Sequence, residues 1–414
     1  MGYLSSAMDM IRVKWEMKTS SVKLGSDQED LRYCYDVLNS VSRSFAVVIQ
    51  KLNDPDLRDG ICIFYLVLRA LDTIEDDMSI PVEFKLKELP KFHTHLDDPE
   101  WSMSNVGKGR EMELLENFPR VSREFHKLKE QFQVVIKDIC ESMANGMCDF
   151  LQRPVVTSED FDLYCFYVAG LVGHGLTRLF ASCHYEDEHL ADDLTNSRHM
   201  GLFLQKTNII RDYFEDILED PPRVFWPRDV WSKYAVDLKE FKDRANEKKG
   251  LECLNELVTG ALQHIPYVID YLSQLREPSV FQFCAIPQVM AMGTLAAVYN
   301  NPDTFHIKVK MTKAASCRAM IHSTDMYNTM EMFMVHIDEM MQKLNPSDPH
   351  YEEALQSLTK SREIMTNLRK SNPPVPYMRS LMARYPGLGG QLLLTMIDHV
   401  SAYFSTSEVG TVKA

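Results

Sequence analysis

Apolar residues recur along this chain at helical spacing. Between Phe161 and Cys183 one stripe holds Phe161, Tyr164, Val168, Leu171, Val172, Gly175, Leu176, Leu179 and Phe180, which predicts a single helix. "TSED", Thr157 to Asp160, opens it with a capping-box pattern. Alternating runs bounded by paired turns are missing, so strands are not predicted. "LNDPDLRDG", "EDPPRVFWP" and "YNNPDTF" read as helix connectors. The pattern predicts an all-α fold with one domain over 24–344. At Asn345 "LNPSDPHYEE" breaks it. One charged helix and an extended stretch, "SNPPVPYMRS" from Ser371 to Ser380, then make 345–414 a C-terminal helix and linker region.

Two helices carry a polar stripe on an otherwise apolar surface. "DTIED", Asp72 to Asp76, and "DYFED", Asp212 to Asp216, are both D-x-x-E-D. Residues at i, i+3 and i+4 share a helix face, so each pattern gathers three carboxylates. Tyr65, Arg69, Asp72 and Asp76 lie within about 60° of one another at roughly 100° per residue, and Gln205, Asn208, Asp212 and Asp216 repeat the arrangement. Ile63, Leu66, Leu68, Leu71 and Ile74 flank the first stripe, and Ile209, Ile210, Phe214 and Ile217 the second. Such helices are buried, so their stripes face a cavity.

Six acids around one cavity need cations. All the ligands are hard oxygens, which suits magnesium, manganese or calcium. Magnesium commonly bridges a few carboxylates to a substrate phosphate. The plainer alternative, two acidic helix ends in solvent, fits one copy better than two. A di-iron bundle needs paired E-x-x-H motifs, and only Glu186 to His189 offers one. Arg43 in "SVSRSF", Arg69, Arg211, Arg223, Lys310 and Lys313 together suit a diphosphate beside its metal. Gly170, Gly173 and Gly175 allow close helix packing or leave room for a ligand chain, with no strand leading into a dinucleotide loop.

Charge narrows the partners. Acids outnumber bases 59 to 45, for a net charge of −14, which argues against nucleic acid. Nine cysteines without a C-x-x-C pair read as reduced thiols.

Six blocks, "VSRSFAVVIQ", "YLVLRALDTIEDDM", "YCFYVAGLVGHGLTRLF", "GLFLQKTNIIRDYFED", "FWP" and "FCAIPQVMA", stand in the order of the squalene synthase family, which the chain resembles from about Leu31 to Lys313. The resemblance implies an isoprenoid-synthase helical fold around a central cavity. It implies that two farnesyl diphosphates condense head to head to presqualene diphosphate, which NADPH then reduces to squalene. It implies magnesium, with manganese possible, on Asp72, Glu75, Asp76, Asn208, Asp212 and Asp216. Tyr164 would assist the first ionisation and take the proton that closes the cyclopropane. Arg43, Arg69, Arg211 and Lys310 match positions linked to NADPH or the diphosphates. Ser42, Phe45, Tyr65, Leu176, Phe180, Gln205, Arg223, Cys284 and Pro287 are carried over as substrate contacts. Thr312 replaces an arginine common in relatives, and His174 interrupts a stretch usually apolar.

A phytoene- or dehydrosqualene-type synthase would use the same metal motifs. "FCAIPQVMA" and "KVKMTK" favour the reductive enzyme. A non-catalytic prenyl-diphosphate carrier would not need Tyr164. The resemblance further implies a monomer held on the cytosolic face of the endoplasmic reticulum by a C-terminal anchor. No apolar run here approaches the roughly 20 residues that span a bilayer, so either this member is soluble or, as the linker at Ser371 to Ser380 favours, the anchor is expected to lie outside this chain.

Overall fold

The computed structural model describes residues 27–183 and 185–372, with 13, 22, 24 and 25 before them. The described residues contain helices and no strand. Ten helices position the site: α1 (Glu29–Val41), α2 (Pro55–Asp76), α3 (Glu130–Gln152), α4 (Ser158–Cys165), α5 (Leu171–Ser182), α6 (Thr195–Arg211), α7 (Ile265–Gln274), α8 (Pro278–Val298), α9 (Met326–Lys343) and α10 (Tyr351–Ser371).

The start of α2 follows from its sequence. The Asp54 side chain accepts from the Leu57 N–H at 2.6 Å, and Pro55 fills the first turn, where no donor is needed. Its end is held from outside. Lys85, almost wholly buried, donates to the Glu75 carbonyl at 2.5 Å, and the Asp77 carboxylate accepts from the Gly107 and Ser79 backbones. The last turn of α2, which carries the acids, is therefore fixed at the carbonyl end, where a cation is favoured.

The helix predicted over 161–183 is interrupted. The capping box at Thr157 and Asp160 is present, but Phe166–Gly170 forms a π-helical turn between α4 and α5. One extra residue in a turn keeps the chain helical, so an apolar stripe alone does not reveal it. Close packing explains the glycines. A Cβ on Gly173 would lie 2.3 Å from the Ser197 carbonyl, and one on Gly201 2.3 Å from that of Ala169. The backbones of α5 and α6 approach too closely for any side chain there. His174 is partly buried and stacks edge-on against Phe166, as a packed histidine would.

α8 corrects the expectation about apolar runs. An 18-residue stretch of this 21-residue helix has a mean hydropathy of 1.5, long and apolar enough to cross a membrane. That segment is 78% buried against its neighbours, so the helix is apolar all round because it runs through the core. α10 adds Ala354, Leu358 and Met365 to the same apolar cluster. The linker expected at Ser371 to Ser380 lies outside the described residues from position 373 on.

Candidate active site

α2 and α6 face each other across a cavity of about 270 Å³. Tyr65, Arg69 and Asp72 line one wall, and Gln205 and Asn208 the other. Phe45, Leu176, Phe180, Cys284 and Pro287 complete an apolar end. Ten of the residues singled out in the sequence thus share one cavity. Ser42 lies at the junction of α1 and the short helix Arg43–Ile49 and is not among its walls.

Asp72 lines the polar end of the cavity, whereas Glu75, Asp76, Asp212 and Asp216 are not among its walls and stand beyond that end among protein cations. Arg223 donates to Asp76 at 2.5 Å, and its own backbone N–H bonds the Asp216 carbonyl at 3.0 Å. One residue therefore ties the first acidic segment to the second. Arg211 forks onto Asp212 at 2.8 and 2.5 Å. Lys308 pairs with Glu215 and stands 3.7 Å from Asp212. The second D-x-x-E-D does not continue α6 as a uniform stripe. The helix ends at Arg211, and the Glu215 N–H takes the Asp212 carbonyl, a tighter i+3 bond, before the short helix Tyr213–Asp216. Glu215 consequently turns to Lys308.

Burial sets the charges. It pushes Asp72 up to about 7, against the pull of Arg69 and with Asp76 adding repulsion. Burial and Asp76 push Glu75 up to about 8. Asp216 rises to about 7 through burial, which outweighs Arg223, while Asp212 and Asp76 repel it. Burial would raise Asp212 as well, but the Arg211 fork holds it below the usual carboxylate range. The acids of the two segments feel one another, as expected of a site built to hold added positive charge.

Tyr164 lies beside the acids and is not a wall of the cavity. Its ring stacks on Phe225 with centroids 5.0 Å apart, and the Arg223 guanidinium covers the other partner of that stack, 5.0 Å from the Phe225 centroid. Burial, then Glu75 and Asp76, push the phenol well above its ordinary value. It stays protonated.

The anion-binding residues separate. Arg69 donates to the Tyr65 hydroxyl at 3.0 Å, yet its Nε is buried without a partner. That orphaned donor on a cavity wall suits an anionic group. Arg211 is already engaged by Asp212. Lys310 is exposed, and no ion pair engages it among the described residues. The Arg43 side chain lies outside the described residues. Lys308, which does reach the acids, was missed in the sequence. It opens "KVKMTK", and nothing in an irregular segment shows which of two alternate lysines meets the acids. Thr312 caps the helix Lys313–His322 by accepting from the Ala315 N–H at 3.2 Å, a role an arginine would not fill.

No three carboxylate, imidazole or thiolate groups converge tightly enough for a ready-made metal cluster among the described residues. The oxygen donors still fit magnesium, which keeps several waters and takes a substrate phosphate as ligand.

Comparison with known proteins agrees with this geometry. The squalene/phytoene synthase family model matches residues 38–315. A squalene synthase of Homo sapiens is 45% identical over 388 residues, 91% of this chain and 90% of that protein. One from Mus musculus is 48% identical over 344 residues, 83% and 80% respectively. A solved ligand complex of TcSQS is 58% identical, has a TM-score of 0.81, and covers 82% of this chain and 99% of its own. A tyrosine-flanked pair of acidic segments facing each other over an apolar cavity, matched through that whole core, places the chain in the squalene/phytoene synthase family.

Proposed function

We propose that this chain is a squalene synthase that condenses two farnesyl diphosphates to presqualene diphosphate and then reduces that intermediate to squalene. The observation that carries the reading is the Arg223 bridge from Asp76 to the Asp216 backbone, one helical turn beyond the Asp72 wall of an apolar cavity. Ionising an allylic diphosphate leaves negative charge on one side and a carbocation on the other. The site has charged clamps for the first and a largely apolar, water-excluding cavity for the second.

Asp72, Glu75, Asp76, Asn208, Asp212 and Asp216 would hold magnesium. When bound, magnesium supplies Lewis-acid charge for the departing diphosphate, and NADPH supplies the hydride. Arg223 and Lys308 add fixed positive charge around that leaving group. Arg69 offers its unpartnered Nε to an anion of substrate or cofactor. The neutral Tyr164 hydroxyl passes its proton to the leaving diphosphate, and the phenolate oxygen so formed takes the proton lost when the cyclopropane closes, which restores the phenol. Phe180, Leu176 and Phe45 shield the cation from water.

The relatives named squalene synthases favour this reading over a phytoene-type synthase. The test is incubation of the full chain with farnesyl diphosphate, magnesium and NADPH, with products identified by mass spectrometry. Squalene supports the reading. A C30 hydrocarbon formed in equal amount with and without NADPH overturns it.

A further inference from the structure

Gln288 lies in α8, on the wall of the same cavity, and is 2% exposed. Its Nε2 donates to the Met200 carbonyl at 3.1 Å. That bond fixes which end of the amide is which, because a carbonyl accepts only from the NH2 side. The opposite atom, Oε1, is buried and has no partner. Buried acceptors are normally satisfied, so an orphan on a cavity wall asks what ligand it serves.

The neighbouring donors are already used. The Thr177 hydroxyl donates to the Gly173 carbonyl at 2.8 Å, so the Tyr271 hydroxyl, 2.7 Å from it, donates to Thr177. Ser197 donates to the Leu194 carbonyl. Pro287, one residue before Gln288, brings no N–H, so the Phe283 carbonyl loses its i+4 helical donor. This end of the cavity therefore offers acceptor oxygens without matching donors. That arrangement repels anions and favours positive charge.

Depth decides which positive charge. Met200 precedes Asn208 by eight residues on α6, about 12 Å at ~1.5 Å per residue. Gln288 is thus too deep to touch a diphosphate held at the acids. It lies where the hydrocarbon of a substrate would run.

Resting on the squalene synthase reading, we infer that Gln288 is a further catalytic residue, whose Oε1 presents its dipole to the carbocation of the reductive step. In that step the C–O bond of presqualene diphosphate breaks, and its electron pair leaves with diphosphate. The cyclopropylcarbinyl cation rearranges, and a hydride from NADPH supplies the closing electron pair, leaving NADP⁺. The amide oxygen stabilises the cation between departure and hydride arrival, and forms no bond to it.

The experiment compares wild type, Gln288→Met and Gln288→Glu with farnesyl diphosphate, magnesium and saturating NADPH. The readout is the ratio of squalene to presqualene diphosphate plus C30 alcohols. A ratio does not depend on how much of each variant folds. Met removes the acceptor at similar volume. A buried neutral Glu keeps both the donor to Met200 and the acceptor. A lost charge–dipole contact predicts a ratio roughly ten- to a hundredfold lower in Gln288→Met, and recovery to near wild type in Gln288→Glu. A wild-type ratio in Gln288→Met, or a Gln288→Glu variant as defective as Met, overturns the inference. A wild type that makes neither compound overturns the underlying function as well.

Discussion

Arg223 donates to Asp76 at 2.5 Å across 147 residues of sequence, and it does so from a loop whose backbone is tied to Asp216. The guanidinium also lies over Phe225, on which Tyr164 stacks. One residue, through its side chain and its backbone, thus fixes the spacing of both acidic segments and the phenol. Arg223→Leu should lower turnover by roughly a hundredfold, the usual cost of removing one preorganised donor, while circular dichroism stays helical. Unchanged turnover would show that the bridge is only structural.

The acids should be individually essential. Asp76→Asn and Asp212→Asn keep shape and remove charge. Each is expected to reduce turnover to background, and excess EDTA should do the same to the unaltered chain. Wild-type rates in EDTA would remove metal from the account.

Tyr164→Phe keeps the stacked ring and loses the hydroxyl. Formation of presqualene diphosphate from farnesyl diphosphate should fail. Supplied presqualene diphosphate should still be reduced to squalene. The measurement is each half-reaction run separately, and normal condensation would dismiss the phenol.

The two lysines of "KVKMTK" should part company. Lys308 meets Glu215 and Asp212, so Lys308→Ala should impair condensation. Lys310 is exposed, so Lys310→Ala should spare condensation and at most raise the NADPH needed for half-maximal squalene, by less than about tenfold for a solvent-screened contact. Titrating NADPH against both products separates these outcomes.

A histidine pair gives an acid limit to stability. His264 is buried, its Nδ1 lies 2.7 Å from the His199 Nδ1, and burial, then Lys206, His199 and Arg198, holds it well below its ordinary 6.5. Below about pH 6.5 the unfolded chain takes a proton that the folded chain refuses, so stability falls as pH drops through that range. Urea midpoints at pH 7.5 and 5.5 should differ less in His264→Gln than in the unaltered chain.

Much of this site can be read directly from residue pattern. Asp72, Asn208 and Gln205 stand out because a polar stripe on an apolar helix has nowhere to go but a cavity. The features that pattern does not carry are geometric. A π turn at Phe166–Gly170 leaves the apolar stripe intact. The end of α6 at Arg211 follows from a hydrogen bond, and Lys308 is chosen over Lys310 by the path of an irregular segment. Lys85 looks like one lysine of a charged helix, yet its ammonium is buried against the end of α2. α8 hides a core helix as apolar as a membrane span because Gln282, Gln288 and Thr294 interrupt its run.

The central claim is a reductive head-to-head coupling in one cavity. Mass spectrometry of products from farnesyl diphosphate and magnesium, with and without NADPH, tests it most directly. Presqualene diphosphate is expected as the main product without NADPH, and squalene with it. An unreduced C30 hydrocarbon in equal amount under both conditions, or farnesyl diphosphate recovered intact from both, would contradict it.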